Sequence, residues 1–433
     1  MHGSHMRILL VSHGLPPDSV GGVEQHVNGL AGALVAAGHD VEIFARENGP
    51  ERDQGQFVAT SAAGANPTVF RVAYRWQGCD SLAAMYTSAP MAEAMASFLA
   101  ARKADGITYD VAHVHHLTGM SVDSLAKLRE FGLPTVMTLH DYWLFCPRGQ
   151  MFHHRGEACE SAPIERCTEC LSKTFPWWLK ENGQEKVVSV QEQARAVLAI
   201  PDRLIVPSAR AIPAFVSLGV PAERFTTVEN GVDTERLEAL PKPTGGPGPL
   251  RLGYFGTLMP SKGLEVLIAA VQKLPQGMVE LHIHGNSVPY HGDESYLTKC
   301  FMQLQPGSGV TYHGPYSLDE MPGRIATIDV LAAPALWHEA FGLTVREALA
   351  AARPVLVSRV GGLQDAVEDG VQGRVLPPGD VNAWAAAIRE LAEDRALLQR
   401  YISKTRGRAR GFAAMANDLS IIYAEAAEGP GRS

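Results

Sequence analysis

No run of about 18 apolar residues occurs in this 433-residue chain, so no segment reads as a membrane-spanning helix. Cysteine is scarce, with six residues in all. That is too few for a disulfide scaffold of this length and suits reduced thiols or metal ligands better. Basic residues are outnumbered, 38 Lys and Arg against 46 Asp and Glu, for a formal charge of -8. Such a balance repels a phosphate backbone at long range and argues against nucleic acid as a partner. Tandem repeats and low-complexity tracts are missing, and a 46% hydrophobic content in periodic runs excludes a disordered chain. No Asp-x-Asp pair is present to hold a divalent cation against phosphates.

What is present is a regular alternation. Met1 to Met6 reads as a cloning remnant and is set aside. The next residues, Arg7-Ile-Leu-Leu-Val11, form a short apolar run without a small-residue cleavage site. They read as a strand and not as a signal peptide, so a cytoplasmic location is expected. Val27, Leu30, Ala31, Leu34 and Val35 then recur with helical spacing until Gly38, and another apolar run begins at 41. Further strands are predicted at 111–114, 135–139, 204–206, 252–255, 279–283, 330–333 and 355–357, most of them followed by helical patterns. Near-continuous apolar strands separated by helices indicate parallel sheets covered on both faces, an α/β doubly wound architecture. The segment 241–249 is rich in Pro and Gly and has linker composition. Two Rossmann-like domains are therefore expected, at 7–221 and 222–410, with a Cys-rich insertion at 146–180 and a C-terminal helix at 411–428 packing back on the first domain.

Two motifs suit an anionic ligand. Gly21-Gly22-Val-Glu24 lies between the first strand and the first helix, where glycine permits close backbone approach and a helix N-terminus offers unpaired N–H groups. A plain turn is the competing reading. In Glu339-Ala-Phe-Gly-Leu-Thr-Val-Arg-Glu347 two carboxylates flank the start of a helix. Carboxylates accept hydrogen bonds from sugar hydroxyls, and open amides suit a diphosphate. Alternatively Glu339 caps that helix and Glu347 is a solvated face residue.

The order of Gly21-Gly22-Val-Glu-Gln-His-Val, Asn230-Gly231-Val-Asp233, Gly256-Thr-Leu-Met-Pro-Ser-Lys262-Gly263, Glu339-Ala-Phe-Gly-x4-Glu347 and Arg353-Pro354-Val-Leu-Val-Ser-x2-Gly361-Gly362 resembles the retaining GT-B glycosyltransferases of family 4 along nearly the whole chain. The resemblance implies two Rossmann-like domains facing across a cleft and transfer of a hexose or aminohexose from a nucleoside-diphosphate sugar, UDP favoured over GDP, to an acceptor hydroxyl. It implies Glu339, His115 and Lys262 as catalytic residues. Glu347 is expected on the donor ribose, and Glu339 on a hydroxyl of the transferred sugar. The amides of Phe341, Gly342 and Leu343 are expected on the sugar and diphosphate, with Gly22, Thr257 and Lys262 also at the diphosphate. Tyr316 and His284 are placed near the nucleobase. Many relatives carry Arg where this chain has Thr257, which removes a cation, and Arg210 or Arg251 are candidates to replace it.

Two histidine groups end strands of the first half, His113-Val-His115-His116 and His140-Asp141, where ligands bind in open parallel sheets. Glu24, His116, His140 and Asp141 are the expected acceptor-side residues. The sequence shows no evident general base or nucleophile beyond Glu24 and Asp141, and similar enzymes use a front-face route in which the leaving phosphate takes the acceptor proton. Catalysis then rests on leaving-group stabilisation and positioning, with no cofactor required.

Cys146, Cys159, Cys167 and Cys170 have the spacing C-x12-C-x7-C-x2-C, which can close a structural zinc site, reduced thiols being the alternative. Phe175-Pro-Trp177-Trp178-Leu179 is either core, an acceptor platform or a peripheral membrane contact. The rival functions are a sugar-nucleotide epimerase of the same fold, a phosphorylase, or a non-catalytic nucleotide-sugar-binding protein.

Overall fold

The apolar runs at 8–11 and 111–114 become inner strands of a parallel sheet, where both faces are covered and side chains of either parity must be apolar. The protein is described here by a computed structural model covering residues 5–75 and 81–429; Cys79 lies outside the described residues. The chain divides into two compact units, one of residues 1–149, 161–231 and 412–433, the other of 150–160 and 232–411.

The first unit holds β1 (Arg7–Ser12), β2 (Asp40–Asn48), β3 (Phe57–Ala59), β4 (Thr68–Tyr74), β5 (Val111–Val114), β6 (Thr135–Thr138), β7 (Arg203–Val206) and β8 (Phe225–Thr227). They form one sheet in the order β3-β4-β2-β1-β5-β6-β7-β8, with β3 antiparallel to β4 and the other pairs parallel. The first helix, Gly22–Ala36, buries Val27, Leu30, Ala31 and Leu34. The C-terminal helix, Phe412–Ala427, buries Met415, Ala416, Leu419 and Tyr423 in the same core. Its contact with the first helix requires Gly29, since a Cβ there would lie 2.1 Å from the Phe412 ring.

The second unit holds β9 (Leu250–Phe255), β10 (Val279–His284), β11 (Val310–Tyr312), β12 (Val330–Ala333), β13 (Val355–Ser358) and β14 (Gly373–Leu376). Their order is β11-β10-β9-β12-β13-β14, and every pair is parallel. Helix Val381–Glu393 covers the sheet with Trp384, Ile388 and Leu391, packed among Leu264, Leu267 and Ile268.

The division between units falls at Gly231–Val232, and the 241–249 segment belongs wholly to the second unit. Its carbonyls explain why: Pro241 accepts from Arg353 Nη1 at 2.9 Å, Thr244 from Gln399 Nε2 at 2.8 Å and Gly248 from Arg395 Nη2 at 2.7 Å. Arg353 itself is 1% exposed and also donates to the carbonyls of Ile328, Ala326 and Ala351. Within the Arg353-Pro354 motif the arginine is thus a structural tie. The Cys-rich insertion is not one body, because residues 150–160 group with the second unit and 161–180 with the first.

Candidate active site

Each sheet has one point where successive connections leave in opposite directions. In the first unit it lies between β1 and β5, in the second between β9 and β12. Ligands of open α/β sheets bind beyond the carboxyl ends of such strands. The loops after β9 and β12 carry Lys262 and Glu339, and those after β1 and β5 carry His13, His115 and His116.

In the second unit Lys262 Nζ meets Glu339 Oε2 at 2.5 Å and lies 5.3 Å from the centre of the Trp337 ring. Backbone fit makes the pair. Gly263 adopts φ +70, and a Cβ there would come within 2.1 Å of Pro334 O. Leu336 N donates to Ser261 O at 2.8 Å, which joins the two loops. Gly361, at φ +44, runs against the backbone of Glu339, where a Cβ would lie 2.2 Å from its carbonyl oxygen, and Gly362 N donates to that oxygen at 2.7 Å. The Gly361-Gly362 pair therefore shapes the seat of Glu339.

Helix Leu343–Ala350 begins at Gly342, which is left-handed with φ 82 and has no side-chain cap. Its first amides are consequently open to an anion or hydroxyl. Phe341 is pinned behind it by Arg346, whose guanidinium sits 3.9 Å over the ring and donates to the Phe341 carbonyl. Glu347 projects from the second turn. Burial pushes its carboxyl up to about 7, with the Asp233 carboxylate adding to the shift. Asp233 caps helix Thr234–Glu238 by accepting from Arg236 N.

Tyr316, Phe255 and His284 form an aromatic group in the same unit. Phe255 stacks on His284 at 4.4 Å and 22°, and Tyr316 meets both edge-on at 5.6 Å and 6.5 Å. Burial, then His313 and Arg324, lowers His284 to about 3, so it stays neutral. Burial, then the Glu347 carboxylate, raises the Tyr316 hydroxyl. Thr257 is half-buried, its carbonyl accepting from Tyr254 Oη at 3.1 Å. Arg251 does not replace the missing arginine. It lies at the amino end of β9 and is held bidentate by Asp329, at 2.6 Å and 3.1 Å, at the opposite end of the strand from the loops just described. Arg210 belongs to the first unit.

In the first unit Glu24 is 5% exposed, accepts from Ser19 Oγ at 2.5 Å and faces His13 Nε2 at 3.4 Å. Gly21 lies against it, and a Cβ there would come 2.7 Å from Glu24 Oε2, so a larger residue would have to displace that carboxylate. Gly22 is exposed as the first residue of the helix. His116 Nδ1 accepts from Thr118 N at 3.2 Å, which leaves Nε2–H to donate to Asp141 Oδ2 at 3.3 Å. Trp143 N holds the other carboxylate oxygen at 2.8 Å. His115 and His140 meet through Nδ1 and Nε2 at 3.2 Å. Burial first, then neighbouring histidines, keeps both well below the ordinary imidazole range. His113, two residues earlier, is occupied by Tyr423 Oη at 2.6 Å and Thr138 Oγ1 at 2.7 Å, a structural residue.

The expected site residues thus gather as two sets, one at each switch point. Sequence reasoning missed His13, His26, Ser19, Phe255 and Trp337. His13 had a readable signal, since it directly follows β1 as His115 follows β5. Among the cysteines, Cys170 is buried and Cys146, Cys159 and Cys167 are half-buried. Cys167 and Cys170 are nearly one turn apart on helix Ile164–Thr174. Phe175, Trp178 and Leu179 are buried, while Trp177 is 55% exposed. Among the described residues no helix is long and apolar enough to cross a membrane.

Comparison with known proteins bears on the chemistry. Residues 249–394 match the model of "Glycosyl transferases group 1", and residues 20–236 match that of "Glycosyltransferase Family 4". The chain is 28% identical over 419 residues to glycogen synthase of Mycobacterium tuberculosis, covering 93% of this chain and 90% of that protein. It is equally 28% identical over 440 residues to D-inositol 3-phosphate glycosyltransferase of Corynebacterium efficiens, covering 97% and 96%. Among solved structures, sucrose-phosphate synthase from Thermosynechococcus elongatus superposes with a TM-score of 0.68 at 22% identity, over 97% of this chain and 99% of that one. HepE of Anabaena, solved in complex with UDP and glucose, gives 0.67 at 18% identity over 97% and 100%. With both family models matched in chain order onto two parallel α/β units, the chain belongs to glycosyltransferase family 4, has the GT-B fold and is a glycosyltransferase.

Proposed function

We propose that this glycosyltransferase moves a hexose or aminohexose from a nucleoside-diphosphate sugar to an acceptor hydroxyl with retention, UDP-sugars being preferred to GDP-sugars. The observation that carries the reading is the Lys262–Glu339 pair at the β9/β12 switch point, next to the uncapped start of helix Leu343–Ala350. An ammonium and open amides suit a diphosphate, and the released Glu339 carboxylate suits a sugar hydroxyl. Glu347 accepts from ribose hydroxyls, with Tyr316 and His284 toward the base. The UDP preference is supported by HepE, solved with UDP and with UDP-glucose.

In the proposed step the bond from the anomeric carbon to the phosphate oxygen breaks. The acceptor oxygen bonds to the same face of that carbon, and its proton passes to the departing phosphate. Lys262 and the amides of Gly342 and Leu343 stabilise the charge that develops on the diphosphate. Neutral His115 holds a sugar hydroxyl, and Glu24, His116, His140 and Asp141 orient the acceptor.

Incubation with a panel of nucleotide sugars, with release of UDP or GDP as readout and NMR of the product anomer, tests this. Turnover with a product of unchanged anomeric configuration is expected. Tight nucleotide binding without turnover of any donor would sink the transfer reading, and an inverted product would sink retention.

A further inference from the structure

Residues 150–160, the part of the Cys-rich insertion that groups with the second unit, form a short hairpin. Phe152 and Ala158 pair antiparallel, while Cys159 N donates to Met151 O at 2.7 Å and His153 N to Glu157 O at 2.7 Å. Met151, Phe152 and His153 are 2%, 3% and 2% exposed, so the hairpin is packed and not a free loop. Both of its ends touch loops of the candidate donor site. Glu160 pairs with His338 Nε2 at 3.1 Å, next to Glu339 in the chain, but the Glu160 side chain is 86% exposed, and an ion pair so open to water contributes little. Gln150, at the other end, is half-buried and engages both ends of its amide. Nε2 donates to Met259 Sδ at 3.2 Å, and Oε1 accepts from Tyr290 Oη at 3.1 Å. Chemistry fixes that orientation, because a thioether sulfur carries no proton and only the NH2 end can bond to it.

Met259 and Tyr290 stand on the loops after β9 and β10. The backbones of these loops meet where Leu258 N donates to Asn286 O at 2.9 Å and Leu258 pairs with Ser287. The Gln150 amide joins the same two loops again, one residue further along. Lys262 hangs from that point, since Met259 O accepts from Lys262 N at 3.0 Å at the start of the 3-10 turn Pro260–Lys262. We propose that Gln150 is a positioning residue for sugar transfer, its amide locking the turn that carries Lys262 to the loop after β10 and so holding the ammonium where the diphosphate departs. The role given to Lys262 rests on the transfer reading; the tie itself does not. Without donor, Glu339 anchors the ammonium. Once Glu339 turns to a sugar hydroxyl that anchor is gone, and the backbone of the turn sets where Nζ reaches. A misplacement of about 1 Å can cost roughly 100-fold in rate.

The test uses the full chain. Gln150→Leu keeps an apolar side chain of similar bulk and removes both bonds, whereas Tyr290→Phe removes one. Gln150→Leu is expected to lower kcat by about 10-fold while UDP affinity, by calorimetry, stays within about twofold, and Tyr290→Phe to lower kcat by a smaller factor. In a Lys262→Ala background Gln150→Leu should cost less than about twofold, because its effect runs through the ammonium already removed. Glu160→Ala, which cuts only the exposed pair, should stay within about twofold of the parent. Hydrogen exchange at residues 258–263 needs no turnover and should quicken by about fivefold in Gln150→Leu. Thermal melting confirms that each variant is folded. Parent-like kcat in folded Gln150→Leu overturns the proposal. So does a further loss of about 10-fold on top of Lys262→Ala, or a loss in Glu160→Ala as large as that in Gln150→Leu. A parent-like Gln150→Leu beside an impaired Lys262→Ala defeats the tie and leaves the transfer reading standing. If the parent transfers no sugar from any donor, the transfer reading falls and exchange decides the tie, which unchanged exchange at 258–263 defeats.

Discussion

Glu347 offers the sharpest test of the donor site, because it couples binding to stability through one carboxyl. Its pKa is raised by burial, then by Asp233, from an ordinary 4.5 to about 7. A carboxyl whose folded pKa exceeds its unfolded value imposes no penalty below about pH 4.5, and the cost of ionising it in place grows as pH rises and is complete above about pH 7. The shift corresponds to about 3 kcal/mol at most. Glu347→Gln is therefore expected to make the ligand-free protein more stable at about pH 8 by up to that amount, and the gap to shrink by about 2 kcal/mol at about pH 5.5. Urea unfolding at the two pH values, followed by fluorescence of the second unit, measures it. Nucleotide binding should run the other way. Ribose hydroxyls donate to the ionised form, so affinity of the parent falls as pH drops below about 7, toward tenfold per pH unit. The Gln variant binds more weakly at high pH, with a flat profile. A parent affinity that is independent of pH, or a stability gap that does not change with pH, would refute the argument.

Other outcomes follow from single contacts. Lys262→Ala should lower kcat by about 100- to 1000-fold with a smaller change in nucleotide affinity, if the ammonium acts on the departing diphosphate; an unchanged kcat excludes that role. Gly361→Ala places a Cβ 2.2 Å from the Glu339 carbonyl oxygen at φ +44. It should displace Glu339 and cut turnover by about 100-fold, and a fully active, folded variant would contradict the seat described for that residue. Tyr423→Phe removes the hydroxyl from His113 Nδ1 and should cost about 1–3 kcal/mol of stability, measured by denaturant unfolding, with loss of less than a few tenths arguing against a buried hydrogen bond.

The inner strands were legible because both of their faces are buried, so the apolar run is continuous. Val111–Val114, Val330–Ala333 and Val355–Ser358 needed no tertiary information. The outer strands were not. Phe225–Thr227 and Val310–Tyr312 are short and half-exposed, so they carry little pattern. In Thr68–Tyr74 the alternation is broken by Arg71, which is 5% exposed yet satisfied by the carbonyls of Leu15 and Pro16. The Pro- and Gly-rich stretch 241–249 read as a free linker because its composition lacks periodicity. Side chains distant in sequence, Arg353, Gln399 and Arg395, hold it on the second unit.

By itself the sequence determined the alternation of strand and helix and the α/β class, because each is encoded in periodicity within a few turns of chain, and it was the resemblance of its ordered motifs to family 4 that singled out Lys262, Glu339 and Glu347. Only the tertiary structure decided what those residues experience. Sheet order places the Lys262 loop beside the Glu339 loop at a switch point, burial and Asp233 raise Glu347, Asp329 takes Arg251 out of contention, and His26, His115 and His140 come together from three elements. Charge, solvation and ligand geometry depend on distance through space, and local periodicity does not encode that distance.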